Sequence, residues 1–586
     1  MLNFKQDFEK ELFAAGLRKM DERYDAARRM VWGYRGKNGY HSKLSDCPVH
    51  AIRDAFDYAY LLLCRNEEGD AARAHDVLYR VVALQDINPQ NRTYGIWQYY
   101  LEEDLEEMDE PDWNWADFNG KCMLNCLNEH GDKLTEDMKA LLKASVYRAC
   151  EAIIRRNVGP AYTNISVMGS YVTIFAGEMF NDLRLFTYGK ERLRKLHEFN
   201  MSHGSFSEFN SPTYTFLCLS DLSLLRHDVK DAECQRLAED LIDLAWQTVA
   251  MHYHVGTGQL AGPHDRAYAM LVSDGTRLTL ERAMNYEVEL LCDREALSDV
   301  ELGVSKNLTA PTLFTDHRIC PDKYRPYFTE PCGERIIDQT FAPGRMAYTY
   351  MCDDYTVGSL HHEIAWNQHR NVLGYFGTKA SPVAFNLKCL HDGWDYCSAV
   401  MSTIQDKGRT LTAFSFATAG GDTHCVLDMI KNATISAEDL RVRWQLEGAL
   451  DRIDVEQTGD TTFRVVDRET GLTLNIAYPY AVFGQNVIRY EISREEDKIG
   501  IDAVLYHGER TDINLNELGT AAVVTAMEVL KETADMPAVL VTVGENAIAA
   551  TFENLYVSSS IKLDTRREMG KLMQLKRDGE PYRPAY

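Results

Sequence analysis

The sequence lacks any apolar run long enough to cross a bilayer. A spanning helix needs about 20 consecutive apolar residues, and no such stretch occurs in the 586 residues. The first thirty residues are charged and amphipathic, without the basic and apolar segments of a secretory signal. We therefore expect no membrane partner and a cytoplasmic location, with export as the alternative if a leader precedes the given sequence.

Positive charge is also scarce. The chain has 63 Lys and Arg against 88 Asp and Glu, a formal net charge of −25. Long-range repulsion then disfavours nucleic acid and anionic membrane surfaces as partners. An anionic substrate can still bind, but only at a local cluster of Arg, Lys and His.

The fourteen cysteines lack a metal-binding spacing. Cys122 and Cys126 have helical spacing, and the isolated ones include Cys352, Cys389, Cys397 and Cys425. Because no zinc pattern is present, we expect buried, reduced thiols and no metal or other cofactor, with a structural divalent ion left open.

Helical periodicity dominates the first half of the chain. Apolar residues recur every three to four positions, as in 146–156 and 237–255. The pattern predicts helices at 4–30, 50–66, 70–84, 114–129, 134–156, 162–184, 189–200, 213–226, 230–253 and 275–294. Short connections and no visible repeat favour an incomplete (α/α) toroid of helical hairpins over a regular solenoid.

Alternating, β-branched and aromatic residues dominate after about residue 340. The pattern predicts antiparallel strands in 345–360, 410–420, 462–483, 486–493, 499–508 and 540–564. We therefore predict an α+β multidomain protein: an N-terminal toroid at 1–300, a proline-containing linker at 301–340 and a C-terminal antiparallel β-sandwich at 341–586.

The stretch 201–215, MSHGSFSEFNSPTYT, has the densest proton-handling chemistry in the chain. It carries an imidazole, a carboxylate, an amide and a phenol: His203, Glu208, Asn210 and Tyr214. Gly204 and Pro212 favour an irregular loop that leads into a helix near Thr213. The alternative is a plain helix entry capped by Ser211.

Two further polar loops lie about 50 residues to either side of Tyr214. One contains Asn164, which could equally be a helix N-cap, and the other contains His264, Asp265 and Arg266 in a Gly-Pro loop. The Asp-Arg pair could also be structural. Equal spacing predicts successive toroid hairpins whose tips meet at one mouth, which would gather these residues into one site.

Two other segments are candidates for substrate contact. Trp113, Asn114 and Trp115 resemble a sugar platform, since flat rings stack on pyranose faces, although such rings are commonly core residues. In the β part, we expect His361 or His362 to reach the helical mouth; the histidine spacing there matches no zinc pattern. Trp394 and Tyr396 are further candidates for such contacts.

These residue types fit β-elimination from a uronic acid. The base must remove the C5 proton beside a carboxylate whose charge is neutralised by amide, guanidinium or imidazole donors. A phenol beside an arginine can act as base and then as acid. Tyr214, His203 and Arg266 supply those groups.

The domain order and the order of Asn164, His203, Tyr214 and Arg266 resemble the helix-toroid polysaccharide lyases, of the chondroitin AC and heparinase III types. The resemblance implies an Asn that neutralises the carboxylate, a Tyr acid or base, and assisting His and Arg. In the heparinase-like branch a β-domain His completes the site, which His361 or His362 would resemble. The subfamily, the glycan and a homodimer remain open.

Two alternatives remain. A glycoside hydrolase on an α/α barrel, such as a uronyl hydrolase, needs two opposed carboxylates, which Glu208 with Asp265 or Asp112 could supply. A glycan-binding protein without catalysis would need the tryptophan platform but neither Tyr214 nor His203.

Overall fold

A computed structural model describes residues 2–37, 39–292, 312–420, 430–564 and 573–582. The chain forms two compact units that interleave in sequence. The helical unit comprises Met1–Ser202, Tyr214–Trp246 and Ser273–Asp322, and the β unit comprises His203–Thr213, Gln247–Val272 and Lys323–Tyr586. The predicted domain boundaries at 300 and 340 stay a prediction, because compact units need not be segments that fold alone. Residues 301–311 of the predicted linker lie outside the described residues.

The predicted order of helices followed by antiparallel strands is confirmed. Each predicted helix has a counterpart, but the predicted ends at 30 and 294 are wrong, because the first helix ends at Glu22 and the last at Ala283. The helices are α1 Asp7–Glu22, α2 Ile52–Arg65, α3 Asp70–Val82, α4 Trp115–His130, α5 Glu136–Arg156, α6 Thr163–Phe180, α7 Leu183–His203, α8 Tyr214–Asp228, α9 Ala232–His252 and α10 Asp274–Ala283. Short 3₁₀ turns occur at Gly131–Lys133, Leu313–Thr315, Asp322–Phe328, Leu450–Arg452 and Leu515–Glu517.

Alternate helices form one layer of the helical unit. α2 contacts α4, α4 contacts α6 and α6 contacts α8, while α3 and α5 pack behind them. Lys121 of α4 pairs with Asp221 of α8 at 2.7 Å, and Asn128 Nδ2 of α4 bonds Asp228 of α8 at 3.3 Å. Because both pairs are 100 residues apart, α4 and α8 run parallel.

Helices α6 and α7 pack closely against each other at two glycines. A Cβ on Gly177 would lie 2.5 Å from the Phe186 nitrogen, and one on Gly189 would lie 2.5 Å from Thr173 Oγ1. Only glycine allows the two helices to approach this closely. The pairing of 177 with 186 and of 173 with 189 makes α6 and α7 an antiparallel hairpin.

Four short strands belong to the helical unit: β1 Tyr24–Asp25, β2 Met30–Val31, β3 Gly33–Arg35 and β4 Cys47–Val49. The β unit contains β5 Tyr253–His254, β6 Gln259–Leu260, β7 Arg335–Ala342, β8 Arg345–Met351, β9 Tyr355–Leu360, β10 His362–Ile364, β11 Val372–Gly377, β12 Pro382–His391, β13 Trp394–Asp395, β14 Ala399–Asp406, β15 Arg409–Phe416, β16 Thr434–Gly448, β17 Ile453–Gln457, β18 Thr462–Asp467, β19 Thr473–Phe483, β20 Arg489–Arg494, β21 Lys498–Asn514, β22 Ala521–Leu530, β23 Leu540–Val543, β24 Ala547–Phe552, β25 Leu555–Ser560, β26 Gln574–Arg577 and β27 Glu580–Pro581.

Two large antiparallel sheets enclose the main β core. The order in one is β20-β21-β16-β12-β11-β9-β8-β7, with β13 on β12, and in the other β10-β14-β15-β22-β19-β18-β17. Inward residues of both sheets share one apolar cluster, which includes Phe385, Trp444, Phe414 and Val523. A five-stranded sheet, β23 to β27, packs on β14 and β15 through a second cluster. The paired sheets are the predicted sandwich.

A loop from the helical half of the sequence covers the outer face of the larger sheet. Met270 packs with Leu373, Tyr375 and Ala384. A Cβ on Gly358 of β9 would lie 1.9 Å from the Gly262 carbonyl oxygen, so this position admits only glycine without movement of the loop. The sheet therefore fixes the start of the segment His264–Arg266.

None of the described helices has both the length and the apolar character needed to cross a bilayer.

Candidate active site

Two segments of the β unit pair in antiparallel fashion and carry most of the charged candidates. His264 and Arg370 exchange backbone hydrogen bonds of 3.3 and 2.9 Å, and the Ala267 N–H donates to the Gln368 carbonyl at 2.7 Å. Side chains alternate between the two sides of such a pairing. We call the paired segments 264–267 and 368–370 the ribbon.

On one side of the ribbon, Arg266 is held by three neighbours. Its Nε donates to Gln368 Oε1 at 2.6 Å and its Nη1 to Glu208 Oε1 at 2.7 Å. The guanidinium lies over the Trp366 ring, 5.1 Å from the centroid. Because Glu208 and Gln368 are each 4% exposed, these hydrogen bonds are shielded from water and fix the plane of the guanidinium.

On the other side, Asp265 is the centre of an ion-pair network. Arg345 bonds both Asp265 and Glu363, and His369 Nε2 lies 3.3 Å from Asp265 Oδ1. Burial alone would raise the pKa of Asp265, but the His369 hydrogen bond and the charges of His369 and Arg345 lower it overall. Burial likewise opposes the charge of His369, yet Asp265 raises the pKa of this imidazole. Asp265 is thus an ionised structural anchor.

The loop at 203–213 is tied to the ribbon. Asn210 Nδ2 donates to the carbonyls of Ala261 and Pro263 at 2.7 and 3.0 Å, and Ser211 Oγ donates to the Arg266 carbonyl at 2.5 Å. Gly204 has a φ of +63°, as the sequence predicted. The amide nitrogen of Asn210 thereby joins the loop 203–213 to the segment before the ribbon.

His264 is buried beside Arg370. The ring is 1% exposed, and its Nδ1 has no hydrogen-bond partner among the described residues. Burial lowers the pKa of His264 to about 3. The imidazole is therefore neutral at physiological pH and can bind a ligand only as a hydrogen-bonding group.

The helical unit holds two predicted catalytic residues at helix starts. Tyr214 is the first residue of α8 and is half-buried, and Asn164 is the second residue of α6 and is buried. Asn164 is not the N-cap, a position that Tyr162 occupies. Asp117 and Gly120 of α4 lie against Gly169 and Val172 of α6, so α6 runs parallel to α4 and α8, and all three begin at one end of the unit. His203 ends α7 and is half-buried.

The predicted sugar platform is only partly available. Trp115 is 4% exposed and packs against Tyr99, with ring centroids 4.7 Å apart, so it is a core residue. Trp113 is half-buried, with the Arg92 guanidinium 5.0 Å from its ring centroid. Asn114 accepts from Arg156 at 2.6 Å and donates to the Tyr162 hydroxyl at 3.3 Å. Burial removes Trp115 from the predicted stacking role.

The candidate histidines His361 and His362, at the start of β10, lie outside the ribbon. His361 packs edge-on against Tyr582, with centroids 4.3 Å apart, and its two ring nitrogens have no partner in the described ranges. His362 bonds Ser402 Oγ at 3.0 Å. Burial lowers the pKa of both rings, that of His361 to about 3. Tyr396 is fully buried, so it makes no surface contact of the kind predicted.

Within the described ranges, no three His, Cys, Asp or Glu side chains come together as a metal site. The described cysteines are free thiols, and Cys425 lies outside those residues.

Sequence reasoning assigned no role to Trp366, Gln368, His369 and Arg370. The signal was present in the segment AWNQHR, which follows the two histidines and is dense in polar side chains. What the sequence could not show is that this segment pairs with His264–Ala267, about 100 residues earlier.

Comparisons with known proteins come from family models, curated proteins and solved structures. A family model described as a domain of unknown function, DUF8769, matches residues 10–279. No curated protein matches the sequence. This chain is similar to heparinase III, with 10% identity, a TM-score of 0.43, and coverage of 95% of this chain and 91% of that chain. It is also similar to the heparan sulfate lyase HepC from Pedobacter heparinus, with 9% identity, a TM-score of 0.29, and coverage of 91% and 82%. At these identities the similarity is one of fold alone.

Proposed function

We propose that this protein is a lyase that cleaves a uronic-acid-containing oligosaccharide or polysaccharide by β-elimination, leaving a 4,5-unsaturated uronate end. The observation that carries the proposal is the fixed guanidinium of Arg266, held by Glu208 and Gln368 and stacked on Trp366. A preorganised cation of this kind stabilises negative charge that grows during a reaction. A uronate develops such charge as its C5 proton leaves.

The reaction requires three roles. Asn164 and Arg266 neutralise the substrate carboxylate and the developing enolate, which makes the C5 proton acidic enough to remove. Tyr214 removes that proton and then protonates the departing O4. His203 assists the proton transfers at Tyr214, and the neutral His264 offers a hydrogen bond to the sugar.

The hydrolase alternative is less well supported. A glycoside hydrolase needs one carboxyl group with a raised pKa to act as the general acid. Glu208 is ion-paired with Arg266, and Asp265 has a lowered pKa because of His369 and Arg345. These carboxylates are suited to holding cations in place. The burial of Trp115 also weakens a purely platform-based glycan-binding role.

The activity test uses a panel of uronic-acid polysaccharides and follows near-ultraviolet absorbance. A conjugated unsaturated uronate absorbs there, whereas a hydrolase produces reducing ends without new absorbance. We expect new absorbance with at least one member. Reducing ends alone would establish a hydrolase, and binding without either product would establish a glycan-binding protein.

Tyr214→Phe tests the assigned acid and base. We expect turnover to be abolished with little change in affinity, because only the hydroxyl that moves the proton is removed. Tyr79→Phe, at an exposed tyrosine of α3, is the matched control and should keep the wild-type rate. A nearly normal rate for Tyr214→Phe would remove Tyr214 from the mechanism.

Asn164→Ala and Arg266→Ala test carboxylate neutralisation. Each should lower kcat by about 10²–10³-fold, as loss of one donor to a developing anion does. Steady-state rates from the same absorbance assay measure this loss. Wild-type kinetics in either variant would refute the role of that residue.

A further inference from the structure

Arg370 is a buried cation without an ion-pair partner in the described part of the chain. Arg370 is only 4% exposed. Nη1 donates to the carbonyls of Asn367 and His369 at 2.8 and 3.0 Å, whereas Nε has no hydrogen-bond partner. Burying a charge is costly unless an opposite charge compensates it. The two carbonyls belong to the same tight turn as Arg370 and supply no net charge.

Acidic residues are near Arg370 but do not pair with it. Burial lowers the pKa of Arg370, and the charges of Asp395 and Glu447 oppose that shift only in part. Both carboxylates have other partners: Asp395 lies 3.4 Å from Lys388 Nζ, and Glu447 accepts from Gln445 at 2.6 Å. The protein therefore commits these anions elsewhere.

Two more buried polar groups of the β unit lack hydrogen-bond partners among the described residues. His264, directly opposite Arg370 on the ribbon, has an unpartnered Nδ1. Asn386, 1% exposed, has neither its amide nitrogen nor its amide oxygen hydrogen-bonded. Strand register places Asn386 on the same face of the large sheet as Tyr375 and Glu447, one row away. Buried polar groups in folded proteins are nearly always satisfied, so each exception calls for an explanation.

Arg370 and Arg266 are both bonded to one short turn. Arg266 donates to the Gln368 side chain, and Arg370 donates to the carbonyl of Asn367 in the same turn. Two guanidinium groups held by one turn can bind two acidic groups carried by one or two neighbouring sugar units.

We propose that Arg370, with His264 and Asn386, forms a second anion subsite that binds a carboxylate or sulfate group of the glycan while Arg266 faces the uronate being cleaved. The glycan as ligand rests on the proposed function; the anion subsite itself does not. The subsite selects glycans with a second acidic group next to the cleaved uronate.

The first experiment tests anion binding without any sugar. Thermal unfolding of the full chain is followed in sodium sulfate or sodium acetate, each against sodium chloride at matched ionic strength. Sulfate or acetate should raise Tm in the wild type and in Arg489→Gln, an exposed arginine of β20. Arg370→Gln should lose the anion-dependent gain and keep or exceed the wild-type Tm in chloride. An unchanged anion response in Arg370→Gln would overturn the subsite.

A structural role for Arg370 predicts the opposite pattern. If the guanidinium only holds its turn, Arg370→Gln lowers Tm in all three salts equally. If Arg370→Gln does not fold, Arg370→Lys is tested instead, because lysine keeps the positive charge but lacks the planar guanidinium. The proposal is supported if Arg370→Lys binds a two-acid disaccharide at least threefold more weakly than the wild type and binds a one-acid disaccharide equally well. Equal affinities overturn it.

The second experiment separates the ligand classes. Calorimetric Kd values are measured in the Tyr214→Phe background for three disaccharides, which carry one uronate, one uronate and one sulfate, or two uronates. Adding Arg370→Gln should weaken a two-acid disaccharide at least tenfold and the one-acid disaccharide less than twofold. The two-acid disaccharide whose affinity falls more shows whether Arg370 binds a sulfate or a carboxylate. Equal effects on all three overturn the proposal. If the protein has no lyase activity, the salt experiment still tests the anion subsite. The proposed function and the proposed subsite can therefore fail independently.

Discussion

Burial of the His361 imidazole should make the stability of the protein depend on pH. Burial and the nearby Arg577 charge lower its pKa to about 3, below the ordinary value of about 6.5. The unfolded chain therefore binds a proton first as pH falls. The contribution is present above about pH 6.5 and is lost toward pH 3, by about 1.4 kcal/mol per pH unit.

The test is urea unfolding of the wild type and His361→Phe at pH 7.5 and pH 5.0. The loss of unfolding free energy between these pH values should be about 2 kcal/mol smaller in His361→Phe. Equal losses in the two proteins would show that this imidazole is not held neutral by the fold.

Gln368 should act as a positioning residue for Arg266. Its side-chain oxygen accepts from Arg266 Nε at 2.6 Å in a buried environment. Gln368→Leu removes a hydrogen bond to a charged group, which should lower kcat/KM by about 10–100-fold. Gln368→Glu keeps an acceptor at the same place and should recover most of the rate. Equal kinetics for the two variants in the absorbance assay would exclude positioning by this hydrogen bond.

At the scale of elements, the contact between β9 and the loop before the ribbon should control activity. Gly358→Ala places a Cβ 1.9 Å from the Gly262 carbonyl, so the loop that leads to His264 must move. We expect kcat/KM to fall at least tenfold and Tm to fall with it. Gly33→Ala is the control, because nothing lies within 4 Å of a Cβ there. Wild-type kinetics in Gly358→Ala would show that the loop adapts without disturbing Arg266.

Local patterns predicted the helices and part of the strands, and long-range pairing explains the remainder. The helix expected near 213–226 is α8 at Tyr214–Asp228, because Pro212 and the apolar period are local signals. The strand at Thr434–Gly448 was missed although Val442, Trp444 and Leu446 alternate, since its acidic start does not fit a strand pattern. Its outward Arg443 is satisfied by Asp502, 59 residues later.

The same limit applies to the candidate site. Arg266 and Glu208 were named from sequence for separate roles, yet they form one ion pair across 58 residues. Asp265 and His369 are likewise joined across about a hundred positions. No local sequence pattern predicts these ion pairs, because they depend on how the intervening chain folds back across the sheet.

At the scale of the whole molecule, the β unit depends on two segments from the helical half of the sequence. Phe209, from the first segment, stacks on Phe341 with centroids 4.9 Å apart. From the second, Met270 packs on Tyr375 and Ala384, and Asp265 neutralises Arg345. Without these segments, the sheet would expose an apolar patch and leave the buried side of Arg345 without Asp265.

A fragment of residues 341–586, the sandwich predicted from sequence, should therefore not fold cooperatively alone. We expect it to bind a hydrophobic dye and to lack a sharp thermal transition, because the costs of exposed apolar area and lost ion pairs add. A longer fragment, 203–586, restores both segments and should regain a cooperative transition by calorimetry. A sharp transition in 341–586, close in Tm to the β unit of the full chain, would show that the covering segments add function to a sandwich already stable without them.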